Sequence, residues 1–241
     1  MKILIAPSKT RDYNVIDSLN FNTSIPVFIE EANYLSNTIK KFNKDDLSKI
    51  MKIKNSILDR TFSEYSSFNN SKSYPAILSY KGSVFKEIQI EKYNSHKLNY
   101  LNNNLRILSA LYGVLKPFDL IKNYRLDMNM KVLGNTLYAY WKNKINRELI
   151  TKDLKEPIIS LSSNEFNKML NFEFISIEFK EKTLTDTYKT SGTYSKIARG
   201  KMVNYIVTNN ISHIEAIKKY NLDGYKYNKT LSNELKIVFS R

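Results

Sequence analysis

The sequence predicts one α/β domain, residues 1–241, in which helices flank a central mixed β-sheet. Short apolar runs typical of buried strands alternate along the chain with segments of helical periodicity, which is the pattern of α/β proteins. A predicted hairpin over residues 172–194 adds an antiparallel pair, which makes the sheet mixed. No linker rich in Gly, Ser or Pro divides the 241 residues, so one core is favoured over two small ones.

The strand predictions rest on contiguous or alternating apolar residues. Ile3, Leu4 and Ile5 predict a buried strand over residues 2–6, which Pro7 ends. Further strands are predicted at residues 158–161, 172–179 and 234–239, with residues 187–194 as the hairpin partner of residues 172–179. Ligands of open α/β sheets bind beyond the carboxyl ends of strands, where Lys9 stands between Ser8 and Thr10. Lys9 is therefore a candidate anion-binding residue, with an exposed lysine in a polar loop as the alternative.

Helical spacing of apolar residues predicts helices over residues 26–41, 91–104, 137–149 and 195–209. Trp141 falls on the apolar face of its helix, which favours a place in the core over base stacking. On the last helix Lys196 and Arg199 point away from the apolar side, and Gly200 lies beside them. A glycine inside a helix costs about 1 kcal/mol against alanine, so another group is expected to approach the backbone there.

Residues 43–62 have two interpretations. Asn43 predicts a helix start, and the polar interruption at residues 52–55 predicts two short helices joined by a tight hairpin, with Asn55 capping the second. Such a helix-hairpin-helix aims backbone amides, together with Lys52 and Lys54, at a DNA phosphate without reading bases. The alternative is one continuous helix in which Lys54 extends along the surface.

Residues 105–130 are predicted to form one wall of a site that is set on core elements. The stretch opens as an apolar run, and Gly113, one of only six glycines, indicates a positive φ or a close approach of another group. It ends in Tyr124, Arg125 and Asp127, polar groups that must find partners when they are held among apolar residues.

Two further polar positions are candidates for a site. Lys81 lies beside Gly82 and is a candidate for holding an anion. Residues 162–165 fit a capping box, with Ser162 at the cap and Glu165 at the third helical position. The alternative role for Glu165 is a catalytic carboxylate beyond the end of a strand.

Composition excludes several classes of site. The chain has no cysteine, which excludes disulfides, thiolate metal sites and cysteine nucleophiles. Its two histidines, His96 and His213, lie far apart, so a His-rich metal site is excluded and surface positions are predicted for both. We expect no cofactor and no structural metal. No apolar run reaches the roughly 7–15 residues of a signal peptide or the about 20 of a membrane span, so a cytoplasmic protein without a membrane partner is expected.

Several motifs recur in order along the chain: ILIAPSKT at residues 3–10, YKGSVF at 80–85, LRILSALYGVLKPFDLI at 105–121, YRLDM at 124–128, LYAYW at 137–141, SSNEF at 162–166 and SKIARG at 195–200. Together they resemble the YaaA family of bacterial peroxide stress proteins. The resemblance implies a cytoplasmic protein that limits hydrogen peroxide damage, in part by keeping unincorporated iron low. It also implies DNA binding through a positively charged cleft and a helix-hairpin-helix-like element, on a fold largely peculiar to the family.

The positions that match the family's cations are Lys9, Lys52, Lys54, Arg125, Lys196 and Arg199. The chain departs from the usual motifs with Asp127 in place of Glu, and with Ser8, Ser160, Ser162 and Phe166 in place of Ala, Asn, Ala and Tyr. These substitutions weaken the expectation of carboxylate chemistry at Asp127 and of phenol chemistry at Phe166 more than they weaken the expectation of phosphate binding.

The net charge of +15 favours a phosphate polymer as partner, because a basic surface attracts phosphate at long range. The first hypothesis is binding of duplex or branched DNA with little sequence preference, through Lys9, Lys52, Lys54, Lys81, Arg125, Lys196 and Arg199. The alternative is an enzyme acting on a nucleotide or on DNA, with a pocket formed by Lys9, Tyr124, Arg125, Asp127 and Glu165. The Glu-x-x-His pairs of ferritin-like iron sites do not occur in the sequence, so any effect on iron is expected to be indirect.

Overall fold

The computed structural model describes residues 1–9, 11, 21–153 and 156–241. Its strands are β1 (Lys2–Ile5), β2 (Tyr74–Pro75), β3 (Leu105–Ser109), β4 (Gly113–Leu115), β5 (Leu120–Ile121), β6 (Ile158–Ser160), β7 (Ile175–Lys182), β8 (Tyr188–Lys189), β9 (Lys226–Tyr227) and β10 (Lys236–Ser240). Its α-helices are α1 (Ile29–Lys40), α2 (Lys44–Met51), α3 (Asn55–Ser66), α4 (Ala76–Ser79), α5 (Ser83–Lys86), α6 (Ser95–Asn104), α7 (Leu137–Asp153), α8 (Asn164–Asn167), α9 (Gly192–Thr208) and α10 (Ile214–Ile217).

The main sheet has the strand order β4-β3-β1-β6-β7-β10-β9, and β8 pairs with the far end of β7. The five inner strands β3, β1, β6, β7 and β10 are parallel to their neighbours in this series, whereas β4, β8 and β9 pair antiparallel. Strands β2 and β5 form a separate antiparallel pair. The predicted α/β fold with a mixed central sheet and flanking helices is confirmed.

Strand β1 lies inside the sheet, between β3 and β6. Its residues Ile3, Leu4 and Ile5 are fully buried, because an inner strand of a parallel sheet is covered on both faces. The core position predicted for Trp141 is confirmed, and its indole N–H donates to the carbonyl of Ala110 over 2.8 Å. Gly113 has the expected positive φ of 69°, and a methyl group there would lie 2.7 Å from the Trp141 ring.

Two helices, α2 and α3, occupy the range predicted as either one helix or two. The side chain of Asn43 accepts a hydrogen bond from the Asp46 N–H over 2.9 Å, so the predicted start of α2 is confirmed. Lys52 ends α2 in the left-handed region. The predicted cap of the second helix is wrong, because Lys54 stands at the cap position and Asn55, with φ 52°, is already the first helical residue. That this connection binds DNA as a helix-hairpin-helix stays a prediction.

Three other local predictions are wrong. The hairpin partner predicted over residues 187–194 is a strand only at Tyr188–Lys189, and α9 already begins at Gly192. Helix α8 follows Ser163 rather than Ser162, and the Ser162 hydroxyl donates to Asn167 Oδ1 over 2.5 Å, so the capping box with Glu165 does not form. Strand β7 begins at Ile175 and not at residue 172, because its pairing with the short β6 starts there.

No helix within the described ranges is both long and apolar enough to cross a membrane. The described residues also hold no group of three or more His, Asp or Glu side chains placed to bind one metal ion. His96 and His213 are both exposed, as predicted.

Candidate functional site

The candidate site lies where two inner strands end. Strands β1 and β6 are adjacent and parallel, so their carboxyl ends share one edge of the sheet, outside which α/β proteins bind ligands. Pro7, Ser8 and Lys9 follow β1 at this edge, and residues 161–166 follow β6. Thr10, which the sequence groups with Ser8 and Lys9, lies outside the described residues.

The predicted catalytic candidates meet at one small cavity. It has a volume of about 50 Å³ and is lined by Lys9, Tyr124, Arg125, Asp127 and Glu165, among others. Lys9 Nζ lies 2.8 Å from Asp127 Oδ2, with the lysine side chain 67% exposed and the aspartate 23% exposed. At about 30 Å³ for each water molecule, this cavity alone holds one or two waters. A larger ligand must therefore reach it from the neighbouring space.

Tyr124 is held in the cavity wall by buried hydroxyl groups. Its Oη lies 2.7 Å from Tyr80 Oη and 2.8 Å from Ser109 Oγ, and Ser109 Oγ accepts a hydrogen bond from the Tyr112 N–H. The guanidinium of Arg11 lies 4.0 Å from the centroid of the Tyr124 ring, which is a cation–π distance. Burial raises the pKa of Tyr80 well above its ordinary value, so that hydroxyl stays protonated at neutral pH. These hydrogen bonds fix the Tyr124 side chain, and its ring in turn positions the Arg11 guanidinium.

Three larger cavities adjoin the small one. A cavity of about 420 Å³ shares Lys9 and Arg125 with it, and one of about 370 Å³ shares Lys9 and Glu165 with it. A further cavity of about 330 Å³ shares Glu165 and Arg199 with the second of these. Neighbouring cavities share lining residues, so the four lie side by side, and we call this group of cavities the cleft.

Lys196 and Arg199 reach the cleft from α9. Their helix is fixed at Gly200, where a methyl group would lie 2.2 Å from the Val84 carbonyl oxygen on α5. The approach of another group to this glycine, expected from the sequence, is confirmed. Burial lowers the pKa of Arg199, and the nearby Glu178 carboxylate opposes that shift.

Three arginines of the cleft have incompletely satisfied guanidinium groups within the described part of the chain. Arg11, Arg125 and Arg199 each bury a guanidinium nitrogen that has no hydrogen-bond partner in the described part of the chain. Each of these arginines lines the cleft, and guanidinium groups favour planar, bidentate contacts with phosphate or carboxylate. The arrangement suits an anionic ligand.

Comparison with known proteins identifies the family. A family model described as "Peroxide stress protein YaaA" matches residues 1–231. The chain belongs to the YaaA family of peroxide stress proteins. It is 40% identical to a UPF0246 protein of Fusobacterium nucleatum, over 100% of this chain and 99% of that relative. UPF0246 proteins of Francisella tularensis and Francisella philomiragia are each 34% identical to it over the full length of both chains. The resemblance inferred from the ordered motifs is confirmed.

The cleft gathers some of the cations that match the YaaA family and leaves others outside. Those that line it are Lys9, Arg125, Lys196 and Arg199. Lys52, Lys54 and Lys81 are not among its lining residues. Lys52 and Lys54 are exposed on the connection before α3, a helix whose Arg60 lines the cavity of about 420 Å³. Lys81 directly precedes Gly82, which lines the cavity of about 370 Å³.

Sequence reasoning missed four charged residues of the cleft, namely Arg11, Arg60, Glu64 and Glu178. Arg11 is separated from Tyr124 by most of the first half of the chain, and no local pattern indicates that its guanidinium lies over that ring. Arg60 lies on the polar face of α3 and pairs with Glu64 over 2.8 Å, so it resembles an ordinary surface ion pair. Glu178 belongs to β7, whose alternating pattern indicates only which face each residue occupies.

Proposed function

We propose that this member of the YaaA family acts in peroxide stress by binding DNA, with the sugar–phosphate backbone held in the cleft. One observation carries this function: Lys9, Arg11, Arg125, Lys196 and Arg199 line the adjacent cavities of the cleft. From this proposed role we infer a cytoplasmic location for the protein.

The ion pairing of these cations supports phosphate as their ligand. Arg11, Arg125, Lys196 and Arg199 form no ion pair with another described residue, whereas Lys9 is paired with Asp127. A cation that is already paired gains little from a phosphate, while an unpaired cation in the cleft gains charge-assisted hydrogen bonds from its accessible N–H groups. The four unpaired cations are therefore the main proposed phosphate contacts.

The charge of the whole chain supports the same partner. A net charge of +15 raises the rate of encounter with a polyanion and makes binding depend on salt. Contacts to phosphate fix the position of a protein on DNA without reading its sequence, so little sequence preference is expected.

Titration of labelled duplex and four-way junction DNA at rising salt concentrations tests this function. We expect the logarithm of the binding constant to fall linearly with the logarithm of salt, with a slope of about −0.9 for each phosphate engaged. Lysozyme serves as a basic control protein. Binding no tighter than that of lysozyme at every salt concentration would reject the proposal.

Single substitutions locate the binding surface. Lys196→Ala should weaken binding of all sequences alike and reduce the salt slope by about 1. Lys229→Ala is the matched control, because it removes the same charge from an exposed position beyond the edge strand β9. Equal losses for the two variants would mean that only total charge matters, and not the cleft.

The lysines outside the cleft are proposed as additional phosphate contacts. Lys52 and Lys54 are exposed just before α3, and Lys81 is next to a residue of the cleft wall. Support for the first two comes from the family resemblance and from their place beside a helix that lines the cleft. The double variant Lys52→Ala, Lys54→Ala should lower the salt slope by about 2 if both lysines contact phosphate, and an unchanged slope would remove them from the interface.

An effect on unincorporated iron is also proposed, as an indirect result of this role. Its support is the family resemblance alone. Titration of the purified protein with ferrous iron should give no stoichiometric complex, and a measured complex would mean that iron is bound directly.

A second candidate function, an enzyme acting on a nucleotide or on DNA, is favoured by one observation. Lys9, Tyr124, Arg125, Asp127 and Glu165 line the same small cavity. Paired acid–base groups beside a cation can move a proton and stabilise charge on a phosphate. Incubation with nucleotides and with DNA, followed by chromatography, should then yield a product that Asp127→Asn abolishes. Failure to detect any product would reject this second function.

A further inference from the structure

One part of the cleft has an apolar interior. The cavity of about 370 Å³ is walled by Pro7, Phe85, Leu161 and Phe166, of which the last three are buried. We call it the aromatic compartment. Its volume falls in the range of about 300–1,000 Å³ that is typical of small-molecule pockets.

Cations stand beside this apolar interior. Lys9 and Lys196 are exposed and Arg199 is partly buried, and all three line the compartment. A phosphate backbone alone needs only the cations, because a hydrated anion gains nothing from apolar walls. A ligand that uses both parts has a phosphate joined to a flat, largely apolar body, which describes a nucleotide.

We propose that the aromatic compartment receives a single nucleotide base that has been extruded from a DNA strand, a role that rests on the DNA binding proposed above. Inside a duplex a base is stacked between its neighbours, so it reaches a side pocket only after its nucleotide has rotated out of the helix. Its phosphate stays with Lys196 and Arg199, while the base contacts the apolar wall.

The compartment also has groups that can contact the edge of a base. Ser163 and Glu165 line it. A carboxylate accepts hydrogen bonds from exocyclic amino groups, which adenine, cytosine and guanine carry and thymine lacks. The compartment should therefore disfavour thymine.

The walls of the compartment are formed before any ligand binds. A methyl group at Gly82 would lie 2.5 Å from Ser8 Oγ, and one at Gly200 would lie 2.2 Å from the carbonyl oxygen of Val84. Helix α5 is therefore held between the loop after β1 and α9. Because the pocket does not have to form on binding, little ordering opposes entry of a base.

Fluorescence of 2-aminopurine in DNA tests this proposal. One duplex carries 2-aminopurine opposite thymine, and a second, otherwise identical, carries it opposite an abasic site. Extrusion unstacks the probe, so fluorescence should rise on saturation with protein. The duplex with the abasic site should bind about tenfold tighter, because its probe base has no partner to lose.

Two variants complete the design. Ser83→Trp fills the compartment from a residue that lines no other part of the cleft, and it should abolish the fluorescence rise and the tenfold preference. Ser212→Trp, at an exposed position that lines none of the four cavities, should keep both. Circular dichroism confirms that each variant is folded, and the two-duplex comparison on the unaltered protein does not depend on either variant.

The possible outcomes distinguish failure of base extrusion from failure of the proposed DNA binding. If the unaltered protein saturates both duplexes equally and the fluorescence does not change, base extrusion is overturned and backbone binding stands. If the protein binds neither duplex better than lysozyme does, both proposals are overturned.

Discussion

Replacement of Gly200 by alanine tests the contact that joins α9 to α5. In an isolated helix the change would stabilise the protein by about 1 kcal/mol, because glycine is the poorer helix former. Here the new methyl group would lie 2.2 Å from the Val84 carbonyl oxygen and 2.7 Å from Glu87 Cβ. Forcing an extra carbon into a packed interface costs about 1–3 kcal/mol. The cost should be about 3 kcal/mol, the upper end of this range, because the new methyl group meets backbone atoms, which cannot move aside easily. After the gain of about 1 kcal/mol in helix propensity, we expect a net loss of about 2 kcal/mol in the free energy of unfolding.

Urea denaturation followed by circular dichroism measures this loss. Gly192→Ala is the control, because Gly192 begins the same helix, lacks a positive φ and has no atom within 4 Å of the position a methyl group would take. That variant should be unchanged or more stable by about 0.4–1 kcal/mol. If Gly200→Ala proves as stable as the unaltered protein, then α5 and α9 are not packed as closely as described, and the walls of the aromatic compartment are not fixed.

Three further predictions concern stability. Trp141→Phe leaves the buried carbonyl of Ala110 without its donor and should cost about 1–3 kcal/mol in urea denaturation followed by circular dichroism; no loss would mean that water replaces the indole. Asn43→Ala removes the side-chain cap of α2 and should cost about 1 kcal/mol in the same assay, with equal stability counting against the cap. Burial raises the pKa of Tyr100 and Tyr138 from 10.0 to about 12, so their contribution to stability is complete below pH 10 and is lost as the pH rises towards 12. Tyrosinate absorbance that titrates fully near pH 10 in the folded protein would contradict this.

Much of the fold was predictable because burial leaves a simple pattern. The run Ile3-Leu4-Ile5 has no polar member, as an inner parallel strand requires, and Trp141 keeps helical register with other apolar residues. Residues 162–165 alone predict a capping box, and its failure to form could not be foreseen from them. The Ser162 hydroxyl donates a hydrogen bond to the Asn167 side chain instead of capping a helix. A four-residue motif does not indicate which of these competing hydrogen bonds a serine forms.

The site was predictable only where a local signal marks it. Lys9 follows a strand end, and Gly200 marks a close approach within a helix, so both could be singled out. The position of Arg11 over Tyr124 depends on how β1 and the segment after β5 meet in space, which no local pattern contains. The separation of Lys52 and Lys54 from the cleft wall is likewise a matter of tertiary packing.

The central place of β1 has a consequence for synthesis on the ribosome. Its two partner strands come much later in the chain, since Ile3 is opposite Leu105 on one side and Ile159 on the other. A nascent chain emerges at about 5–20 residues per second, so the first apolar segment waits for many seconds without either neighbour. Contacts this distant along the chain also slow folding itself. Newly made protein should therefore depend on chaperones or low temperature until the strand at residues 158–160 has left the exit tunnel.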